Sequence, residues 1–225
     1  MNLHEEIQRI KEVMQVDEMA YPTNFDFEKF RSINSFVGRI KYAKEMLLGR
    51  VGSGSGRAVF RIDDEKVLKV ALNGKGVQQN STEAGAYKQD YDAVARVFDY
   101  DQEGTWIEME LAKKINASRF QQLVGVTLEE MVTWLGYTTG KILYKPRQER
   151  LRDLRKNEFA ENIGRFASDF DYPVPGDFAK INSYGEVLRD GRPTVVVIDF
   201  GYDSATDDMY ATAKKKSRQR YDNRY

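Results

Sequence analysis

VVVIDFG, residues 195–201, runs four β-branched residues straight into Asp199, Phe200 and Gly201. Such a run fits a buried strand, because branched side chains pack well on a pleated, covered surface. Asp199 is then either the turn residue that ends the strand or a carboxylate held at its tip to grip a metal ion. Upstream, EVLRDGRPT (186–194) reads as the other arm of a hairpin turning at Asp190 and Gly191. The choice between the two readings of Asp199 depends on what the rest of the chain supplies.

The bulk composition narrows the chemistry. The chain has 225 residues, 41% of them hydrophobic, enough for one two-lobed domain or two small ones around a sizeable core. Thirty-five basic and thirty-five acidic residues cancel, so no global field draws nucleic acid or an anionic membrane. There is no Cys and a single His, His4, which excludes disulfides, Cys- or His-based zinc sites, thiol nucleophiles and a His-centred triad. Carboxylates, lysines, hydroxyls and a borrowed metal or cofactor remain. The opening MNLHEEIQRIKEVM breaks up the apolar run a signal peptide needs, and no segment reaches the roughly 20 apolar residues of a membrane span, so a cytoplasmic protein is expected.

Leu3, Ile7, Ile10 and Met14 recur at helical steps and predict an amphipathic first helix, packing on the protein's own core or serving as a partner-binding arm. Residues 27–48 continue helically, with Phe36, Ile40 and Leu47 as candidate core contacts. From Leu47, LLGRVGSGSGRAVFRIDDEKVLKVA changes to short β-type runs divided by glycines and an acidic turn. Residues 80–96 read as a helix and ARVFDYDQEGTWIEMEL as strand, turn, strand. Thr127 and Glu130 form a capping-box pattern that opens a short helix. Pro146 suits the first turn of a longer one carrying Leu151, Leu154, Phe159, Ile163, Phe166 and Phe170. Strands cluster first and helices later, which predicts an α+β protein with a sheet-rich lobe followed by a helical lobe.

Four features then fall in an order that suits ATP-dependent phosphoryl transfer. Glycines 52, 54 and 56 in GRVGSGSGRAV let a turn approach an anion closely, with backbone N–H groups aimed at phosphate oxygens; the alternative is a flexible linker, against which the apolar flanks favour a hairpin tip. In KVLKVAL, Lys69 shares a strand face with Val67 and Ala71, an odd place for an ammonium without a partner, whereas Lys66 lies on the other face near a turn that lets it reach water. Glu83 either pairs with Lys69 and holds it towards phosphates or completes a capping box begun by Asn80. In GDFAKIN, Asp177 and Asn182 stand five positions apart. Asp177 can accept the proton of an attacking hydroxyl, and Asn182 can return towards the metal that Asp199 would bind; singly, each also reads as a turn residue.

The order of Gly-rich turn, strand Lys, helix Glu, Asp with Asn five later, and a strand ending in DFG resembles the protein kinase fold over about residues 47–202. Within that group, GSGSGRAVFRIDDEKVLKVALNGKGVQQNSTE and NSYGEVLRDGRPTVVVIDFG are similar to small kinase-like proteins of tailed bacteriophages. The resemblance implies a helical extension over 1–46, a nucleotide-binding sheet lobe over 47–112, and a reduced helical lobe with a catalytic-type loop and basic tail over 113–225. It also implies ATP and Mg2+ as cofactors, Asn182 and Asp199 as metal ligands, and Asp177, Lys69 and Glu83 as catalytic residues. WIEMEL (106–111), with Glu108 and Glu110, falls at the family's hinge, whose backbone meets adenine. The expected setting is the cytoplasm of an infected bacterium, or the virion.

This chain departs from the family pattern in its glycine spacing, in Pro175 and Gly176 where His and Arg usually precede the catalytic Asp, and in the short stretch after Gly201, which has no A-P-E motif. Two readings follow: a kinase transferring phosphate to a hydroxyl of a protein or small molecule, or a catalytically silent kinase-like protein that serves as a virion component or host-protein modulator. Lys141, Lys145, Arg147, Arg150, Arg152, Arg155 and Lys156, against Glu149 and Asp153, and the tail KKKSRQR form basic patches that are either solvated surface or a nucleic-acid contact.

Overall fold

The computed structural model describes residues 21–87, 89, 91–139, 154–170 and 176–201. The expected first helix, the start of the expected helix at Pro146, the basic run 141–153 and the basic tail lie outside them. Two short helices, α1 (Phe27–Ser32) and α2 (Phe36–Met46), precede a five-stranded antiparallel sheet of β1 (Arg50–Ser53), β2 (Arg57–Arg61), β3 (Lys66–Ala71), β4 (Val97–Tyr100) and β5 (Trp106–Glu110), in the order β1-β2-β3-β5-β4. Helix α3 (Gly74–Ala84) follows β3. The second lobe holds α4 (Ala117–Val124), α5 (Leu128–Thr138) and α6 (Glu158–Asp169), with a small sheet of β6 (Lys113–Lys114), β7 (Tyr184–Arg189) and β8 (Arg192–Val197). The fold is two-lobed and α+β, with a helical extension ahead of the sheet lobe. Among the described residues, no helix is long and apolar enough to cross a membrane.

Local chemistry sets most element ends. Asp26 caps α1 and Ser35 caps α2, splitting into two the single helix expected over 27–48. Of the expected core contacts there, Leu47 is buried while Phe36 and Ile40 are half-buried; Phe30, Tyr42 and Ala43 carry the packing. The predicted capping box holds: the Thr127 hydroxyl accepts from the Glu130 backbone N–H at 3.1 Å, and the Glu130 carboxylate accepts from the Thr127 N–H at 2.8 Å. The β7–β8 hairpin turns at Asp190 and Gly191 as expected, both with positive φ (51° and 73°), the signature of a two-residue turn matched to strand twist.

Two helices start elsewhere than the sequence pattern implies. Helix α3 begins at Gly74, capped by Asn73, and ends at Ala84, so it starts six residues earlier than the expected 80–96 span and overlaps only its first five residues. Gly76 is needed within it: a Cβ there would lie 2.0 Å from the carbonyl oxygen of Gly56. Helix α6 begins at Glu158 under an Asn157 cap, and Leu154 sits before it, buried but not helical.

Two cores lie on opposite faces of the five-stranded sheet. On the outer face Phe25, Phe30, Tyr42, Ala58, Phe60, Leu68, Val70 and Trp106 pack under α1 and α2. On the inner face Val67, Ile107 and Met109 join the core of the second lobe, which runs through Phe120, Leu135, Ile163, Phe166, Phe178, Tyr184 and Val195–Val197 to Phe200. The chain crossing after β5 and the end of β8 therefore meet beneath the sheet, where a cleft forms.

Candidate functional site

The cleft has a volume of about 490 Å³ and lies between the glycine-rich hairpin above and the 176–182 and 198–199 segments below. Its roof is β1, β2 and β3. Val59 stands opposite Lys69 across the β2–β3 pair, so the alternation of strand faces aims Arg57, Val59, Val67 and Lys69 into the cleft together. The run 52–56 is a hairpin tip, not a linker: β1 and β2 pair on either side, and the Gly54 N–H donates to the Arg57 carbonyl at 2.9 Å. Gly52 and Gly54 line the cleft. Gly56 instead packs against α3, where a Cβ would lie 2.5 Å from the Gln79 side chain.

Lys69 is buried and donates to Glu83 Oε2 at 2.8 Å and to the Ile198 carbonyl at 2.7 Å. Glu83 lies in the last turn of α3 with no exposed surface, so its carboxylate serves tertiary contacts and not a helix cap. The same Oε2 accepts from Arg57 at 2.6 Å, and Oε1 accepts from the Phe200 backbone N–H at 3.3 Å. Burial pushes the Lys69 ammonium below its ordinary pKa, and the Glu83 carboxylate beside it opposes that fall. A buried carboxylate with this many donors is held in one orientation, and it fixes the lysine, β2 and the 198–200 segment at once.

The floor carries the other predicted residues. Asp177 is nearly buried in a 3₁₀ turn (Gly176–Ala179), and its carboxylate accepts from Lys180 at 2.6 Å. Burial raises its pKa above the ordinary 3.8, while the Lys180 hydrogen bond pulls it back. Asn182 is exposed at the cleft wall in a second 3₁₀ turn (Ile181–Ser183). Asp199 follows β8 with a half-exposed side chain that accepts from Arg57 at 2.8 Å.

The structure thus brings Gly52, Gly54, Lys69, Glu110, Asp177, Asn182 and Asp199 around one cleft, with Glu83 behind Lys69. Glu108 is elsewhere. On β5 its side chain faces the outer core, where it accepts from Tyr21 at 2.9 Å and lies 3.9 Å from Lys66. Lys66 is itself buried at 8% exposure instead of reaching water. Glu110 borders the cleft, but its carboxylate is held by Arg189 at 2.7 Å and by the Arg96 N–H at 3.1 Å.

Asn182 and Asp199 give two oxygen donors on one wall. Among the described residues, no group of three or more acidic, His or Cys side chains could hold a metal by itself. The donor set suits Mg2+, which binds through one or two protein oxygens and fills its remaining positions with phosphate oxygens and water.

Sequence reasoning passed over Arg57, Lys75, Gln79 and Lys180, all of which line the cleft. For Arg57 a signal existed: it is two residues from Val59, on the strand face that Lys69 shares.

No family model matches the chain, and no curated protein matches it. Among solved structures it is similar to APH(2")-IIa in a ternary complex with streptomycin and ATP (13% identity, 75% of this chain and 71% of that one, TM-score 0.32). It is also similar to APH(2")-IIa in complex with gentamicin (13% identity, 76% and 70%, TM-score 0.30). A third is SAICAR synthase from Saccharomyces cerevisiae complexed with SAICAR (10% identity, 68% and 73%, TM-score 0.30). The fold is two-lobed and α+β, with the five-stranded antiparallel sheet, the helix after β3 and the Lys69–Glu83 pair standing on one side of the cleft.

Proposed function

We propose that this protein binds ATP with Mg2+ in the cleft and transfers phosphate to a hydroxyl acceptor. The observation that carries the reading is the 2.8 Å Lys69–Glu83 pair, facing a cleft that also holds Asp177, Asn182 and Asp199 under a glycine-rich hairpin. Lys69 holds phosphate oxygens, and Glu83 keeps Lys69 aimed. Asn182 and Asp199 would hold the metal, which when bound neutralises charge on the phosphates. Asp177 orients the acceptor hydroxyl and takes its proton, with its own carboxylate steered by Lys180. Catalysis on this scheme is positioning and charge neutralisation more than covalent chemistry.

A second reading, a silent kinase-like binding protein, draws on a specific feature. Both floor carboxylates are already engaged by cations, Asp177 by Lys180 and Asp199 by Arg57. The resemblance of the glycine-rich and DFG segments to tailed-phage proteins supports an infected bacterium as the setting we propose for either activity, with a host or virion protein as partner.

Thermal unfolding with and without ATP and Mg2+ tests the nucleotide site, because a ligand bound only to the folded state raises the midpoint. We expect a rise that needs both components and is lost in Asp199→Ala. No rise at millimolar nucleotide removes the reading. Asp177→Ala then separates the two activities: nucleotide binding kept with phosphoryl transfer lost by roughly 100-fold or more supports the enzyme, and no transfer by the parent protein to any hydroxyl acceptor leaves the silent protein.

A further inference from the structure

Arg57 follows the last glycine of the hairpin, and the backbone puts it there for a steric reason. Gly56 and Gly76 cross closely: a Cβ on Gly76 would lie 2.0 Å from the Gly56 oxygen, a clash the backbone does not accommodate, and one on Gly56 would lie 3.1 Å from the Gly76 nitrogen, a tight contact. This crossing seats β2 against α3 and drives the Arg57 side chain along the helix to Asn80 (3.4 Å) and Glu83 (2.6 Å). One guanidinium nitrogen, Nη1, is thereby anchored on a fully buried carboxylate. The other, Nη2, reaches across the cleft to Asp199 at 2.8 Å, whose side chain is 48% exposed. The two ends differ: one is fixed in the interior, and the other rests on a partner that water reaches.

We propose that Arg57 is a phosphate-binding residue of this cleft, held on Asp199 until a polyphosphate enters and draws Nη2 to its own oxygens. The inference rests on the nucleotide reading above and adds a residue to it. Two features favour it. Arg57 lines the same cleft as Lys69, on the same face of the sheet, so a phosphate that meets the lysine enters the reach of the guanidinium. The exchange also strands no buried charge, because Glu83 keeps Lys69 at 2.8 Å and Nη1 stays in place, while the half-exposed Asp199 is released to serve as the metal ligand proposed above. A planar, always-charged fork suits this task better than an ammonium, since one nitrogen can hold position while another changes partner.

The test compares the affinities of adenosine and of ATP with Mg2+ for the full chain and for Arg57→Gln and Arg57→Lys. We expect Arg57→Gln to weaken ATP at least tenfold and adenosine less than twofold, with Arg57→Lys between the parent and Arg57→Gln for ATP. Equal weakening of adenosine and ATP would assign Arg57 a purely structural role, and unchanged ATP affinity would exclude it from the phosphate site. If Arg57→Gln does not fold, Arg57→Lys carries the test through its ATP-to-adenosine ratio: a ratio equal to the parent's overturns the proposal. If the parent chain binds neither ligand, with or without Mg2+, the nucleotide reading falls and this role with it; if it binds ATP but the ratio is indifferent to residue 57, only this inference falls.

Discussion

Strand β3 carries two buried lysines on opposite faces, each with a buried glutamate, and the two pairs are built differently. On the inner face, Glu83 receives Lys69, Arg57 and the Phe200 N–H. On the outer face, Glu108 receives Tyr21 on one oxygen, stands 3.9 Å from Lys66, and leaves its other oxygen with no hydrogen-bond partner. Burial raises the pKa of Glu108 above its ordinary 4.5. A carboxylate supplied with donors on both oxygens organises its surroundings and borders a cleft. One left half-supplied belongs to a packing surface, where Lys66 also lies 5.2 Å from the Phe98 ring.

The sharpest way to break this contrast is Glu83→Ala. It leaves Lys69 and Arg57 buried without their shared counter-charge, and removing one member of a buried ionic cluster destabilises by about 3–5 kcal/mol. Urea unfolding should register that loss, and nucleotide binding should fall with it. If stability changes by less than about 1 kcal/mol, the cluster is weaker than its geometry implies and the contrast with Glu108 fails.

Next in size is Phe30→Ala, on the other side of the sheet. Phe30 is fully buried among Phe25, Tyr42 and Trp106, with ring centroids 5.5–6.4 Å apart. Truncation should cost towards the lower end of about 3–5 kcal/mol, because the short helix α1 can settle into part of the space. Nucleotide affinity should stay unchanged in the fraction that remains folded. A drop in affinity equal to that of Glu83→Ala would mean that the outer core sets the cleft geometry and that the two faces are not separable.

What the sequence discloses and what it hides divides along the same line. The hairpin at Asp190–Gly191, the Thr127–Glu130 cap and the strand alternation that aims Lys69 inwards are local, set by turn chemistry and a period of two. Arg57 and Asp199 meet across 142 positions of sequence, and nothing near either residue announces the other. The first half of helix α3 is not announced locally either, because Gly76 lowers its helical pattern for the sake of a backbone crossing with Gly56 that lies 20 positions away in sequence. Glu108 misled for a related reason: the hinge resemblance located its strand, but only the packing of Tyr21 and Lys66 shows which way its side chain points.

The smallest expected effect is also the most specific to the half-supplied carboxylate. The folded state raises the pKa of Glu108, so it favours the protonated form. The stabilisation this gives is complete below the ordinary value of 4.5 and is lost as pH rises through the folded pKa. Glu108→Gln keeps the shape and the acceptor for Tyr21 but cannot ionise. Its unfolding free energy relative to the parent should therefore climb as pH rises above the ordinary 4.5 and through the folded pKa. Asp177, whose pKa is also raised by burial, contributes equally to both proteins and drops out of the difference. Parallel pH curves would mean that Lys66, despite its 3.9 Å separation, holds Glu108 as firmly as Lys69 and Arg57 hold Glu83, and the two faces of β3 would then carry equivalent pairs.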